Sequence, residues 1–302
     1  MDRNVRLQAL LRLFMERTPT AESRVGELLA LVRVYASMHG FTTICGDAGF
    51  GRPADYARRA GELFPLLLGR VAATTDFALR ARLVSALFFL SGETSFSYDS
   101  DEAEACREAA LALLDDYARE ERADDLACAA VYRCIADLCY PEGCGCEEWL
   151  SRLAGRVARW ASALDDQGRW ADADLRLAFE RVEVMNRYSY MFLDDGFDGA
   201  VRRAYDHCAS QLATCCEVGP GQLALLRAAY DAARQGNACA AGRATADRIA
   251  ADLARWADAP APEADPAACD ARLGALALVL DNLCEAITDE QQRGLMAGGG
   301  IG

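Results

Sequence analysis

The apolar residues of this chain recur at intervals of three and four from one end to the other, and that spacing constrains the fold more than any other feature. It lines them up on one face of an α-helix, and no run of alternating β-branched residues competes with it. The spacing predicts about twelve helices, near 4–16, 20–38, 53–73, 76–91, 100–121, 124–139, 147–165, 171–192, 199–217, 220–235, 238–257 and 266–287. Composition agrees with this. About one residue in five is alanine, the strongest helix former, and proline occurs 8 times. Such a mixture excludes disorder, collagen and small disulfide scaffolds, and 302 residues are enough to bury a sizeable core.

Several helix ends carry capping chemistry. Thr20, Asp76 and Asp124 sit where a side-chain oxygen would accept from the first free amides. Pro53, Pro220 and Pro266 suit first-turn positions, and Gly40, Gly92, Gly143, Gly168 and Gly236 suit left-handed C-caps. Most connections are short, so sequential helices are expected to be antiparallel neighbours. The two longer ones are Phe41 to Gly51 and Ala257 to Asp265, and the second lies too near the C-terminus to divide two domains. The expectation is a single all-α domain over residues 1–293, with a Gly-rich tail over 294–302. About six antiparallel hairpins would stack as an α-solenoid. The alternative is a closed α/α toroid. Alanine-rich faces let neighbouring helices approach toward the short end of about 8–10 Å.

One segment carries a repeat signature. Gly168 follows a helical run, Trp170 comes two residues later and Ala173 three after that, with Ala161 on the preceding helix. Glycine permits the left-handed turn, the aromatic plugs the hairpin, and the small residues let two helices touch. These positions resemble a tetratricopeptide repeat over about 25 residues; Glu180 and Met185 depart from that pattern, which has a small residue and a proline there. Gly236, Ala238 and Ala241 form a second, weaker copy. The resemblance implies stacked hairpins and a surface that holds a protein or peptide.

Charge narrows the partners. Acidic residues number 46 and basic ones 32, all of them arginine, for a net charge of -14. A field of that sign repels nucleic-acid phosphates and attracts basic segments. Residues Met1 to Pro19 alternate apolar side chains with Arg3, Arg6, Arg12, Glu16 and Arg17, which reads as an amphipathic helix and not an export signal. No stretch reads as a membrane span; the longest uncharged apolar candidate is Leu83 to Leu90. The 13 cysteines are odd in number and fall mostly among Ala and Leu at core-like positions, as reduced thiols in a cytoplasmic protein would.

Four constellations bear on chemistry. Asp194, Asp195 and Asp198 follow an aromatic run and resemble the aspartate-rich motif of class I terpene and prenyl synthases, whose carboxylates hold Mg²⁺. The second metal motif of that family has its nearest counterpart in Asp281, Asn282 and Asp289, with Glu285 where a serine belongs. Acidic pairs recur elsewhere, so the reading adopted is an acidic helix N-terminus. Cys134, Cys139, Cys144 and Cys146 could supply four thiolates, but their spacing matches no common zinc module. His207 adjoins Cys208, yet adjacent helical residues point in different directions; His39 reads as complementing a helix C-terminus. Arg187, Tyr188, Tyr190 and Phe192 combine the residue types enriched at binding hot spots. With Asp194, Asp195 and Asp198 they form the candidate binding surface. No catalytic set, metal site or cofactor is assigned.

The sequence therefore reads as an acidic helical-repeat module that binds a protein or peptide, its charge attracting a basic one, and neither nucleic acid nor membrane. The alternatives are an all-α enzyme using paired carboxylates, of α/α-toroid glycosidase or Mg²⁺-dependent synthase type, and a helical sensor or regulatory domain. If the thiols are reduced, titrating the unfolded protein without reductant recovers all 13. Recovery of far fewer would contradict that assignment.

Overall fold

The structure is a computed structural model that describes residues 2–46, 49–93, 100–120, 125–139, 147–165, 175–192, 195–212, 222–235, 240–258 and 265–298. Among them are twelve α-helices and no strand. They are α1 (Arg3–Met15), α2 (Val25–Cys45), α3 (Pro53–Ala73), α4 (Phe77–Glu93), α5 (Asp101–Glu120), α6 (Asp125–Cys139), α7 (Glu147–Asp165), α8 (Leu175–Phe192), α9 (Asp195–Leu212), α10 (Leu223–Gln235), α11 (Ala240–Asp258) and α12 (Pro266–Gly298). The fold is all-α.

The chain forms two compact units. Unit 1 comprises Met1–Ala73, Ala86–Ala105 and Ala250–Gly302; unit 2 comprises Thr74–Ser85 and Cys106–Ile249.

In unit 1 the core helix is α2, packed most extensively on α12 and α3. Leu28, Leu31, Val34 and Met38 are fully buried, each contributing roughly 1.5–3 kcal/mol of apolar burial. Length and composition would let α2 cross a membrane, although the sequence reading found no such stretch; in the fold more than half of the qualifying window is buried inside the protein. Arg24 meets Asp270, Arg33 and Ser37 meet Asp281, Met38 meets Cys284 and Cys45 meets Thr288. The partners ascend together, so α2 and α12 run parallel. Their closest approach depends on Gly26, where an added Cβ would lie 2.7 Å from that of Asp270. This contact joins helices more than 200 residues apart in sequence, and stacking hairpins in chain order does not supply it.

In unit 2 the packing follows hairpins. α6 packs on α7, and α8 packs on α9, while α6 and α10 both pack on α8. The even-numbered helices thus lie side by side, with α7 and α9 against them. Ala129, Ala130 and Ala136 of α6 and Ala228, Ala229, Ala232 and Ala233 of α10 are buried, and their small side chains allow that close layer. Residues 177–179 and 182–186 of α8 are all buried, so this helix is enclosed on most of its circumference.

Among the ends that differ from the sequence expectation are those of α2 and α12. α2 starts at Val25, not Thr20, and continues through Gly40 to a C-cap at Gly46 with φ 72°. His39 therefore lies inside the helix and is buried, away from the terminus it was expected to complement. α12 extends to Gly298, so the start of the expected tail is helical. The Asp76 cap is present, its Oδ1 accepting from the Leu79 amide at 2.6 Å. Asp124, Gly143, Gly168, Pro220 and Gly236 lie outside the described residues.

Asp281 has no exposed surface, and its carboxylate accepts from Ser37 Oγ at 2.6 Å and from Arg33 at 3.2 Å. Asp281→Ala would take a carboxylate partner from a mostly buried guanidinium, so urea unfolding should show a loss of about 3 kcal/mol, and the double variant Arg33→Met, Asp281→Ala should regain much of it.

Candidate functional site

The site candidate is a set of charged side chains on the even-numbered helices of unit 2. Its centre is Arg133 of α6, which is 6% exposed and donates to both Glu180 and Glu183 of α8. Glu180 and Glu183 stand three residues apart, on neighbouring lines of the α8 surface. α8 adds two further arginines to the same stripe. Arg187 reaches Glu183 at 3.3 Å, and Arg176 lies 4.0 Å from Glu180. On α10, Arg227 lies 3.6 Å from Asp231.

α4 contributes Arg82. Its turn is fixed against α6 by Cys134, whose Sγ donates to the Ala81 carbonyl at 3.1 Å and lies 3.4 Å from Ser85 Oγ. Among the described residues Arg82 makes no hydrogen bond or ion pair, although it interacts electrostatically with Arg227, Glu180, Arg176 and Arg133. The positive charge of Arg227, reinforced by burial, pulls the Arg82 guanidinium down to about 9. Among the described residues the set holds five guanidiniums (Arg82, Arg133, Arg176, Arg187 and Arg227) against three carboxylates (Glu180, Glu183 and Asp231).

Burial pushes the Glu183 carboxyl above its ordinary range, against the pull of Arg133 and Arg187. Beside it, Asn186 is 7% exposed and its Nδ2 has no acceptor among the described residues. Around the set, Trp160 packs edge-on against Tyr132 with centroids 6.1 Å apart, and Arg156 and Arg181 lie over those two rings.

Of the residues singled out from sequence, Arg187 joins this cluster. Tyr188 is half-buried on the next position of α8, about 100° further round the helix. Tyr190 and Phe192 end α8, and Asp195 and Asp198 open α9, but their side chains lie outside the described residues, as does Asp194 entirely. The partner proposed for those aspartates is committed elsewhere, since Asp281 is held by Arg33 and Ser37 in unit 1. Among the four cysteines, Cys134 is spent on Ala81 and Ser85; Cys144 and Cys146 lie outside the described residues, as does the side chain of Cys139. Burial pushes the Cys208 thiol up to about 12, so it stays protonated at neutral pH beside His207. Gly168, Trp170 and Ala173 also lie outside the described residues, flanked by α7 and α8, which pack on each other. Sequence reasoning missed Arg82, Arg133, Glu180, Glu183 and Arg227, whose only signal was charge at core-facing helical positions.

Comparison with known family profiles, with curated proteins and with solved structures yields no match to this chain.

The raised Glu183 has a pH consequence. A carboxyl held above its ordinary 4.5 favours folding while protonated and loses that contribution as pH climbs toward its folded value. Urea unfolding of the wild type and Glu183→Gln at a series of pH values should show wild-type stability falling relative to the variant as pH rises above about 4.5. A constant difference would contradict the shift.

Proposed function

We propose that this chain is a helical module that binds a protein or peptide through the surface of its stacked hairpins, in the reducing cytoplasm. The observation that supports the reading is the hairpin packing of unit 2, in which α6, α8 and α10 lie side by side with α7 and α9 against them. Arg187 and Tyr188 sit at the C-terminal end of the central helix, the end at which the Tyr190 and Phe192 positions follow. The net charge of -14 favours a basic segment as the partner.

A second reading, carboxylate catalysis, is favoured by one feature. Glu183 of α8 and Asp231 of α10 come from different hairpins and interact electrostatically, with Glu183 displaced upward. Both have arginine partners, Arg133 and Arg187 for the first and Arg227 for the second, so the binding reading is preferred.

Fluorescence anisotropy with a labelled Arg-rich peptide and its Glu-rich counterpart tests the proposal. Binding of the basic peptide should weaken steeply from about 0.01 M to about 1 M salt, as the screening length contracts from about 30 Å to about 3 Å. Tyr188→Ala should cost about 1 kcal/mol or more of binding. Equal affinity for the two peptides, or binding of neither, would contradict it.

A further inference from the structure

We propose that α5 of one copy of this protein docks on α7 of a second copy, an acidic face centred on Leu111 meeting a basic face centred on Gly155. Both faces belong to unit 2. The contact stands apart from peptide binding and does not require it.

On α5, Cys106, Ala110, Leu113 and Leu114 are buried and seat the helix, while Glu108, Leu111 and Asp115 are exposed. Leu111 is 41% exposed, and among the described residues of unit 2 no other large apolar side chain is classed with it. Beside it, Glu108 makes no hydrogen bond or ion pair among the described residues. A leucine left in water between two carboxylates is out of place on a helix that has buried its other apolar residues.

On α7, Leu153, Val157 and Trp160 are buried, and Arg152 and Arg159 are exposed on the side away from them, with Gly155 between. Arg152 lies 4.5 Å over the ring of the half-buried Trp149 and gives an N–H to Glu148, so its guanidinium is held in place with other donors left over. Arg159 makes no hydrogen bond or ion pair among the described residues. At Gly155 a Cβ would meet only the Arg159 guanidinium, at 3.7 Å, so the backbone there is open to an incoming side chain. Arginine beside tryptophan is the pairing enriched where interfaces hold their energy.

The two faces share one spacing. Glu108, Leu111 and Asp115 fall at i, i+3 and i+7, and so do Arg152, Gly155 and Arg159. Laid parallel, Glu108 meets Arg152, Leu111 meets the bare Gly155, and Asp115 meets Arg159, with the two charge pairs about 10 Å apart along both helices. Turned end for end, Leu111 would meet Arg156, so the pattern also fixes the direction. A net charge of -14 drives copies apart in general, and these arginines give the acidic α5 face a specific place to land. Two single-helix faces fall short of the roughly 1,000 Å² of a stable interface, so the association is weak and depends on concentration.

Sedimentation equilibrium of the full chain tests the contact. The weight-average mass should climb above the monomer value between about 1 μM and about 1 mM. Glu108→Arg and Arg152→Glu each set like charges face to face and should weaken association about tenfold or more, and the double variant carrying both should restore it. Gly155→Leu should abolish association without lowering Tm, because leucine is the better helix former; a variant that had lost its fold would lower Tm as well. A mass that stays at the monomer value would overturn the proposal. So would association that survives the single reversals, or that the double reversal does not restore. A monomeric protein that captures a Glu-rich peptide, and loses it in Arg152→Glu, would give the α7 face to a different acidic segment and overturn the proposal too. Binding of the Arg-rich peptide can fail while self-association persists, and the converse also holds.

Discussion

The guanidinium of Arg133 holds two carboxylates of a neighbouring helix where little water reaches any of the three. Charges in that position are expensive, and they persist only when paired and hydrogen-bonded. The constraint orders much of unit 2. α6 must present Arg133 toward α8, α8 must carry acids three residues apart, and the alanines on α6 and α10 must let the helices close around them. Alanine-rich layers have little shape of their own with which to select a register. A buried ion pair selects one strongly, because sliding by one residue leaves a charge without its partner.

Unit 1 solves a similar problem with different residues. Asp281, fully buried on α12, is shared by Arg33 and Ser37 of α2, and this polar contact sits within a parallel pair of otherwise apolar helices. Gly26 brings the two backbones together near their N-terminal ends. In both units the buried charge therefore lies on even-numbered helices.

Much of the fold was legible in the sequence because helical periodicity is a local property. All twelve helices were expected near their observed places, and Pro53 and Pro266 do open α3 and α12. The errors lie where a local signal was overruled by packing. Gly40 looked like a terminator, yet α2 continues because Phe41 and Thr42 have buried places beyond it. The site was much less legible. Arg133 and Glu183 are 50 residues apart, and nothing in the local pattern says that two charges at core positions will meet. Arg187 was singled out for its aromatic neighbours, and the structure engages it through Glu183 instead. The pairing of α2 with α12 was invisible for the same reason, since it spans most of the chain.

Arg133 and Glu183 act as one desolvated unit at the joint of α6 and α8, and a double-mutant cycle with Arg133→Met and Glu183→Met tests that most directly. Each single variant should lose about 3 kcal/mol or more of unfolding free energy, and the pair together should lose markedly less than the sum, with a coupling of about 2–3 kcal/mol. Strict additivity of the two losses would contradict it.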